Sequence, residues 1–337
     1  MNQTKDDMNE KNLSQINKSI KSANENDDLF ICSASFEKRS LLAPLHLDED
    51  YQAKKAIIYM NTDFIKKIEK KKIEENVEIL KEILYQHTED IKLIRGSRLK
   101  AHKQFNRILS IIKECKKELK NIENISMDIT TFNREALLVS LAIINNNFKN
   151  FDTQFIYVSP DDHGEWLSRG FRKVRNILSF PGIHNSNKPI LLIILSGFEP
   201  DRTIKVIEEY EPTKVLLGFG KPPTKEKFLE RNKRDQKIVR ARQIVEEFNF
   251  ATNDIEKCKE DLNKLIDPYR NNYNVIIAPM STKLSTIASY LVAEEDENIQ
   301  LVYSLVGEYN YSNYSKGIED IYLEKLRFSN NGLICKK

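Results

Sequence analysis

The stretch LFICSASFEKR (29–39) decides the fold, because the other half of the chain carries a second version of it, ILLIILSGFEPDR (190–202). In both, a run of apolar residues leads into Ser, Phe and Glu and then into an arginine. A short apolar run bounded by polar residues is typical of a buried strand. The recurrence indicates that the chain contains one domain twice.

The segments that follow these two stretches occur in the same order in both halves. Each half continues with a second strand, a charged helix, a third strand and another helix, and then a fourth strand, an apolar helix and a closing strand. The candidate strands after the first are 54–61, 91–94, 125–128 and 154–159 in one half, and 213–220, 248–251, 275–279 and 300–305 in the other. Alternation of strands and helices favours parallel sheets covered on both faces. We expect an α/β protein with two tandem Rossmann-like domains and parallel sheets, produced by internal duplication.

Helical spacing of apolar residues predicts the buried side of the charged helix in each half. In the first half the predicted stripe is Ile73, Val77, Leu80 and Leu84. In the second half it is Ile238, Ala241, Ile244 and Val245. The charged residues between these positions are expected to face water.

The predicted domain boundaries follow from the repeat and from composition. A polar tail is expected over 1–28, the first domain over 29–178, a linker over 179–188 and the second domain over 189–337. The linker region, SFPGIHNSNKP (179–189), is rich in Pro, Gly, Asn and Ser, which is typical of a connecting segment.

Composition predicts the compartment and excludes several kinds of site. The polar start of the chain has no apolar signal-peptide core, and no apolar run is long enough for a membrane span, so we expect a cytoplasmic protein that does not contact membranes. The 4 cysteines and 5 histidines are scattered. We therefore expect free thiols, no metal site and no cofactor.

Charge and glycine content narrow the functional classes further. Lys plus Arg is 53 against 50 for Asp plus Glu, a net charge of +3, so no strong nucleic-acid surface is expected. With only 10 glycines, the chain has no GxGxxG, no GxSxG and no GxxxxGK[ST], and GFGKPPTK (218–225) is not a Walker A loop. Conventional dinucleotide, hydrolase and P-loop sites are thereby disfavoured.

The candidate ligand residues follow the first and fourth strands of each half, where an open parallel sheet binds its ligands. Hydroxyls, cations and free backbone N–H groups at a helix start favour an anion such as phosphate. These candidates are Glu37, Arg39, Asp128, Thr130, Thr131 and Arg134 in the first half, and Glu199, Arg202, Ser281, Thr282 and Lys283 in the second. The alternative for the hydroxyls is ordinary helix capping.

A tyrosine-rich run, VYSLVGEYNYSNYSKG (302–317), follows the last candidate strand. Tyrosine offers a stacking face and a hydroxyl, so Tyr303, Tyr309 and Asn310 are candidates for recognition of a base or sugar. The alternative is a loop whose tyrosines cover the end of the sheet.

The loops DITTFNR (128–134) and PMSTK (279–283) resemble the hydroxyl-plus-basic loop of CARF and SAVED sensor domains, the Rossmann-like modules of bacterial antiviral systems that bind cyclic oligonucleotides. The resemblance implies a nucleotide-like ligand held by the loops after the first and fourth strands, in a pocket shared by the two halves. The chain departs from the family pattern, since both halves lack the usual Gly-Gly and no nuclease, HEPN or protease segment is attached.

Residues and resemblance together predict a ligand sensor or accessory subunit of a bacterial defence system. Its partners would be a nucleotide-like anionic small molecule and a separate effector chain, and it would have no catalytic residues of its own. One alternative is an enzyme that cleaves a glycosidic or phosphodiester bond of a nucleotide, with Glu37 or Glu199 as base and Asp128 as second carboxylate. Another is a structural subunit whose loops contact a partner protein.

Overall fold

The computed structural model describes residues 26–63, 66–221, 225–329 and 334–335. The chain forms two compact units. The first comprises Met1–Glu165 together with Tyr311–Lys337, and the second comprises Trp166–Asn310. We describe each unit by itself.

The strands follow one another along the chain in both units. They are β1 (Asp27–Ala34), β2 (Ala53–Asn61), β3 (Ile91–Gly96), β4 (Asn124–Asp128), β5 (Phe151–Val158), β6 (Asp162–His163), β7 (Ser168–Asn176), β8 (Ile190–Leu195), β9 (Lys214–Gly220), β10 (Glu246–Phe250), β11 (Asn274–Pro279), β12 (Gln300–Tyr309), β13 (Ser315–Lys316), β14 (Ile321–Phe328) and β15 (Ile334–Cys335).

The helices connect most of these strands. They are α1 (Leu42–Leu45), α2 (Lys67–Leu84), α3 (Ala101–Glu118), α4 (Arg134–Asn147), α5 (Pro200–Tyr210), α6 (Glu226–Asp235), α7 (Lys237–Arg242), α8 (Ile255–Ile266) and α9 (Lys283–Glu295). A 3-10 turn, Lys38–Leu41, leads from the end of the first strand into α1.

Both units are built on a sheet of the same topology. The first sheet has the strand order β15-β14-β5-β4-β1-β2-β3, and the second has β10-β9-β8-β11-β12-β7. In each, five strands run parallel, and the next strand at one side is antiparallel, β14 on β5 and β7 on β12. The prediction of an α/β protein with two Rossmann-like parallel sheets and an internal duplication is confirmed.

The core of each unit is formed by central strands whose side chains are apolar on both faces of the sheet. Every residue of β1 is buried, and so is nearly all of β8. In the first unit α2 buries its predicted stripe, Ile73, Val77, Leu80 and Leu84. Burial on both faces is expected when helices cover both sides of a parallel sheet.

The stripe predicted for the second charged helix was wrong. Ile244 is 97% exposed and Ile238 is 39% exposed, whereas Phe228, Leu229 and Val239 are buried. The apolar pattern predicts one continuous helix over 225–249. In the structure the helix is interrupted at Gln236, between α6 and α7, and α7 ends at Arg242. The break shifts the helical phase, so residues predicted to share one side no longer do.

The two units do not coincide with the predicted domains, because each unit contains an edge strand from the other predicted domain. The strand β7 precedes the predicted linker 179–188, yet it pairs with β12 of the second sheet. Reciprocally, β14 lies near the carboxyl terminus and pairs with β5 of the first sheet. Strand pairing joins residues far apart in sequence, so the repeat could not show which sheet each edge strand would join.

The predicted tail 1–28 lies outside the described residues as far as residue 25, and Asp27 and Asp28 already belong to β1. Among the described helices, none combines the length and the apolar composition needed to span a bilayer.

Candidate functional site

The candidate site residues lie at the carboxyl ends of the central strands of each sheet. In the first sheet β1 is flanked by β2 and β4, and in the second β8 is flanked by β9 and β11. These are the positions where the strand order reverses, and ligands of open α/β sheets bind there. The geometry at each position can be compared side chain by side chain.

In the first unit the end of β1 carries a buried ion pair. The Nη2 of Arg39 lies 2.6 Å from Oε2 of Glu37, and both side chains are at most one-tenth exposed. The Nη1 of Arg39 donates to the carbonyl oxygen of Val158 on β5 at 2.8 Å. The hydroxyl of Ser315, from β13, donates to Glu37 at 2.5 Å and accepts from Nε of Arg39 at 3.1 Å. One guanidinium thus joins three separate segments.

The second unit repeats this arrangement after β8. The Nη1 of Arg202 lies 2.8 Å from Oε2 of Glu199, and its Nη2 donates to the carbonyl oxygen of Ser304 on β12 at 2.9 Å. The hydroxyl of Ser168, from β7, donates to Glu199. The sequence repeat pairs Glu37 with Glu199 and Arg39 with Arg202. The structure adds that each pair is bonded internally and is anchored to the closing strand.

In each cluster the carboxylate stabilises the positive charge of the buried arginine. Burial by itself would lower the pKa of Arg39, but Glu37, Tyr157 and Tyr314 together outweigh it and the pKa is raised. In the second unit burial is likewise opposed by Glu199, Tyr303 and Tyr309, and the pKa of Arg202 is raised. Tyr157 and Tyr303 precede the two acceptor carbonyls, and burial raises the pKa of Tyr157. Both arginines are therefore held as cations by an adjacent carboxylate.

A buried asparagine fixes the end of the first strand in each unit. The amide Nδ2 of Asn76, on α2, donates to the carbonyl oxygen of Ser35 at 2.7 Å. That of Asn232, on α6, donates to the carbonyl oxygen of Ser196 at 3.1 Å. The sequence did not reveal this pair, because the two asparagines stand at different distances from the strands they hold.

The loop after β4 uses its polar side chains to hold its own shape. Asp128 and Thr130 are buried. The carboxylate of Asp128 accepts from the backbone N–H of Thr130 at 3.0 Å, and the hydroxyl of Thr130 accepts from the N–H of Val158 at 3.0 Å. The hydroxyl of Thr131 donates to the carbonyl oxygen of Ser33 at 2.7 Å. These groups connect β4 to β1 and β5.

The helices after the fourth strands begin with ordinary caps. Asn133 caps α4 by accepting from the N–H of Ala136 at 2.8 Å, and Arg134 is the first, half-buried residue of that helix. Thr282 caps α9 by accepting from the N–H of Ser285 at 3.2 Å. Ser281 and Lys283 flank this cap and are half-buried. The capping alternative thus describes Thr282.

The tyrosine-rich run is divided between the two units, and its three candidate residues lie in the second. Tyr303 is 4% exposed, and its hydroxyl lies 3.3 Å from that of Tyr309. Asn310 is buried and donates to the carbonyl oxygen of Trp166 at 2.9 Å. These three residues pack within the second unit, whereas the later part of the run, from Tyr311 onward, belongs to the first unit.

In the first unit this later part lines an open cleft of about 470 Å³. The other wall is the turn after β1 and the side of α2. The cationic and aromatic groups that line the cleft are Lys38, Arg39, Lys72, Lys316, Phe36, Tyr311 and Tyr314. Among the described residues that line it, Glu37, the carboxylate bonded to Arg39, is the only acidic one.

Lysines and tyrosines of the cleft are in direct contact. The ammonium of Lys72 donates to the carbonyl oxygen of Tyr311 at 3.2 Å and lies 5.9 Å from the centre of its ring. Lys66 stands over the same ring at 5.0 Å. Tyr314 packs edge-on against Phe36, with ring centres 5.9 Å apart. Cationic and aromatic groups are therefore interleaved along the cleft.

Sequence reasoning missed Lys38, Lys72 and Lys316 as members of a site. The composition of the run 302–317 pointed to its tyrosines, but Lys72 lies on a helix among several other lysines. Only the packing of α2 against the turn after β1 distinguishes it from its neighbours.

Comparisons with known proteins add little to this geometry. No family model and no curated protein matches the chain. Among solved structures, one described as AtPrR2 with NADP+ and (+)pinoresinol is 10% identical, with a TM-score of 0.24 over 74% of this chain and 88% of that one. An N-terminal ketoreductase from a macrolactin assembly line is 7% identical, with a TM-score of 0.23 over 83% of this chain and 45% of that one.

Proposed function

We propose that the chain binds a nucleotide-like anionic small molecule in the cleft of the first unit and acts as a sensor. The observation that carries this proposal is the composition of the cleft, where Lys38, Lys72 and Lys316 meet Tyr311 and Tyr314 at the carboxyl edge of the sheet. Cations attract phosphate, and an aromatic face next to them suits a base or sugar.

The ion pairs at the ends of the first strands favour binding over catalysis. The carboxylates that the enzyme alternative requires as bases, Glu37 and Glu199, are each bonded to a buried guanidinium. Asp128 is bonded to the backbone of its own loop. A base in such a position would have to leave its partner before it accepted a proton from a substrate.

In this proposal the chain is the sensing or accessory subunit of a bacterial defence system and acts through a separate effector chain. The resemblance of the loops 128–134 and 279–283 to CARF and SAVED sensors supports this part. Arg134 and Lys283, at the starts of α4 and α9, do not line this cleft, and their part in anion binding stays a prediction.

Isothermal titration of the full chain with mono-, di- and cyclic nucleotides tests the proposal. We expect at least one to bind, and Lys72→Ala to weaken its binding about tenfold, which corresponds to about 1.4 kcal/mol. Lys71→Ala is the matched control, because Lys71 is the exposed neighbour of Lys72 on α2 and does not line the cleft. No binding by any nucleotide, or equal binding by the Lys72 variant, contradicts the proposal.

Mass spectrometry of the incubated nucleotides separates the sensor from the enzyme. A sensor returns its ligand unchanged after prolonged incubation. A product with a cleaved glycosidic or phosphodiester bond, formed by the wild type and abolished by Glu37→Gln, establishes the enzyme alternative instead.

A further inference from the structure

The strand β7, SRGFRKVRN (168–176), is one of the two edge strands of the second sheet in the described part of the chain, and β10 is the other. Residues 169–173 are all exposed. The strand carries four cationic side chains and no carboxylate, the cations being Arg169, Arg172, Lys173 and Arg175. An exposed sheet edge presents main-chain N–H and C=O groups that can pair with another strand.

The first unit shows how the equivalent edge is used. There β14 occupies the position of β7, and it is covered by β15, which pairs with it through Leu326 and Arg327. The charges of β14 are mixed, with Glu324 beside Lys325, and Arg327 lies 3.7 Å from Asp152 on the adjacent β5. The duplicated fold thus accepts one more strand at this edge.

We propose that the outer edge of β7 docks an extended acidic segment of a partner protein, which pairs with it as the seventh strand of the second sheet. Main-chain hydrogen bonds would give the affinity, as in other cases where a peptide extends a sheet. The cations of β7 would select carboxylates on the incoming strand and increase the rate of association. The surface and the ligand cleft lie in different units, so this inference is independent of the proposed ligand.

Charge decides between this partner and two others. A second copy of the chain would bring two uniformly cationic strands together, and like charges on paired strands are destabilising. A nucleic acid would use the same cations, but through its phosphates and without the main chain. The nearly balanced net charge of +3 and the strand seated on the equivalent edge both favour a polypeptide.

Fluorescence anisotropy with the full chain tests the proposal. The probe is a labelled ten-residue peptide of alternating Thr and Glu, and its counterpart carries Lys in place of Glu. We expect the acidic peptide to bind and the basic one not to bind. Arg172→Glu combined with Lys173→Glu should weaken binding of the acidic peptide at least tenfold. Lys325→Glu, the matched control on β14, should leave it unchanged.

Two further measurements identify the mode of binding. Peptide binding should slow amide exchange in β7, and N-methylation of alternate peptide amides should weaken binding about tenfold. No binding by the wild type, or equal binding by the double variant, overturns the proposal. The proposal is also overturned if the N-methylated peptide binds as tightly as the unmethylated one. Binding of an oligothymidylate without binding of the acidic peptide overturns it too. Circular dichroism verifies that the double variant is folded. If the double variant does not fold, Lys173→Glu alone is tested in its place.

Discussion

The two buried arginine clusters share their bonds and differ in what surrounds them. Arg39 and Arg202 each bind a glutamate and a carbonyl oxygen of the closing strand. Between glutamate and arginine, however, the first unit has Lys38 where the second has Pro200 and Asp201. The cluster with the lysine opens onto a cleft with further cations, including Lys72 and Lys316.

This difference distinguishes the residues that stabilise the fold from those that are candidates for ligand binding. The bonds present in both units hold the end of the first strand to the closing strand, and they stabilise each fold in the same way. The cations present in one unit are not needed for that purpose, so they are the better candidates for ligand contacts. Breaking the shared bonds should therefore reduce stability in both units, whereas changes to the cleft lysines should affect ligand binding more than stability.

The largest effect is expected from Arg39→Met and from Arg202→Met. Each variant removes the cation that neutralises a buried carboxylate, and the carboxylate keeps a serine hydroxyl as partner. Loss of one member of a buried ion pair costs about 3–5 kcal/mol. Urea denaturation followed by amide exchange should show the loss in β1 for the first variant and in β8 for the second. A loss below about 1 kcal/mol in one unit only would show that the pairs are not equivalent, and such a loss in both would contradict the expected cost of a buried pair. Glu37→Gln combined with Arg39→Met should recover part of the loss.

A smaller effect is expected when the asparagines at the strand ends are removed. Asn76→Ala and Asn232→Ala each leave a buried carbonyl oxygen unsatisfied, which costs about 1–3 kcal/mol. Chemical denaturation should give similar losses for both, since both donate to the end of the first strand of their unit. Asn106→Ala, at an exposed position of α3, is the control and should change stability little. Unequal losses would show that the duplicated bond serves only one unit.

The serines contributed by the edge segments should matter less. Ser315→Ala removes a hydrogen bond to Glu37, and Ser168→Ala removes one to Glu199. We expect a loss of about 1 kcal/mol in each case, measured by thermal unfolding. Ser312→Ala is the control, because Ser312 is an exposed residue of the same tyrosine-rich run as Ser315. If Ser315→Ala alone changes nucleotide binding, the cleft depends on the position of this run.

The smallest effect concerns alkaline pH. Burial raises the pKa of Tyr322 in the first unit and of Tyr210 in the second to about 12, from an ordinary 10.0. The folded state thus keeps protons that the unfolded state releases. This contribution to stability is complete below pH 10 and is lost as the pH rises from 10 to about 12.

Denaturation at several alkaline pH values measures this loss. The variants Tyr322→Phe and Tyr210→Phe should each reduce the dependence of stability on pH in this range. Tyr85→Phe, at a residue that is 60% exposed, should leave the dependence unchanged. A steeper dependence in either variant would contradict a raised pKa for these two tyrosines.

The fold could be predicted because its signals are local and occur twice. The runs 29–34 and 190–195 are apolar enough to be buried strands, and the order of the following elements repeats. The second helical stripe could not be predicted, since the break at Gln236 depends on packing rather than on periodicity. The candidate site was predicted in part. Glu37, Arg39, Glu199 and Arg202 lie where expected, but Lys72 comes from a helix whose contacts no pattern specifies.

By itself, the sequence determined the class of fold, the duplication and the residues at the ends of the first strands, because hydrophobic periodicity and a repeated motif are properties of neighbouring residues. Only the tertiary structure decided which unit contains β7 and which contains β14, and which lysines share a cleft with the tyrosines. Those outcomes depend on hydrogen bonds and contacts between residues far apart in the chain. Their energies are set by the packing of whole elements, and no local pattern encodes them.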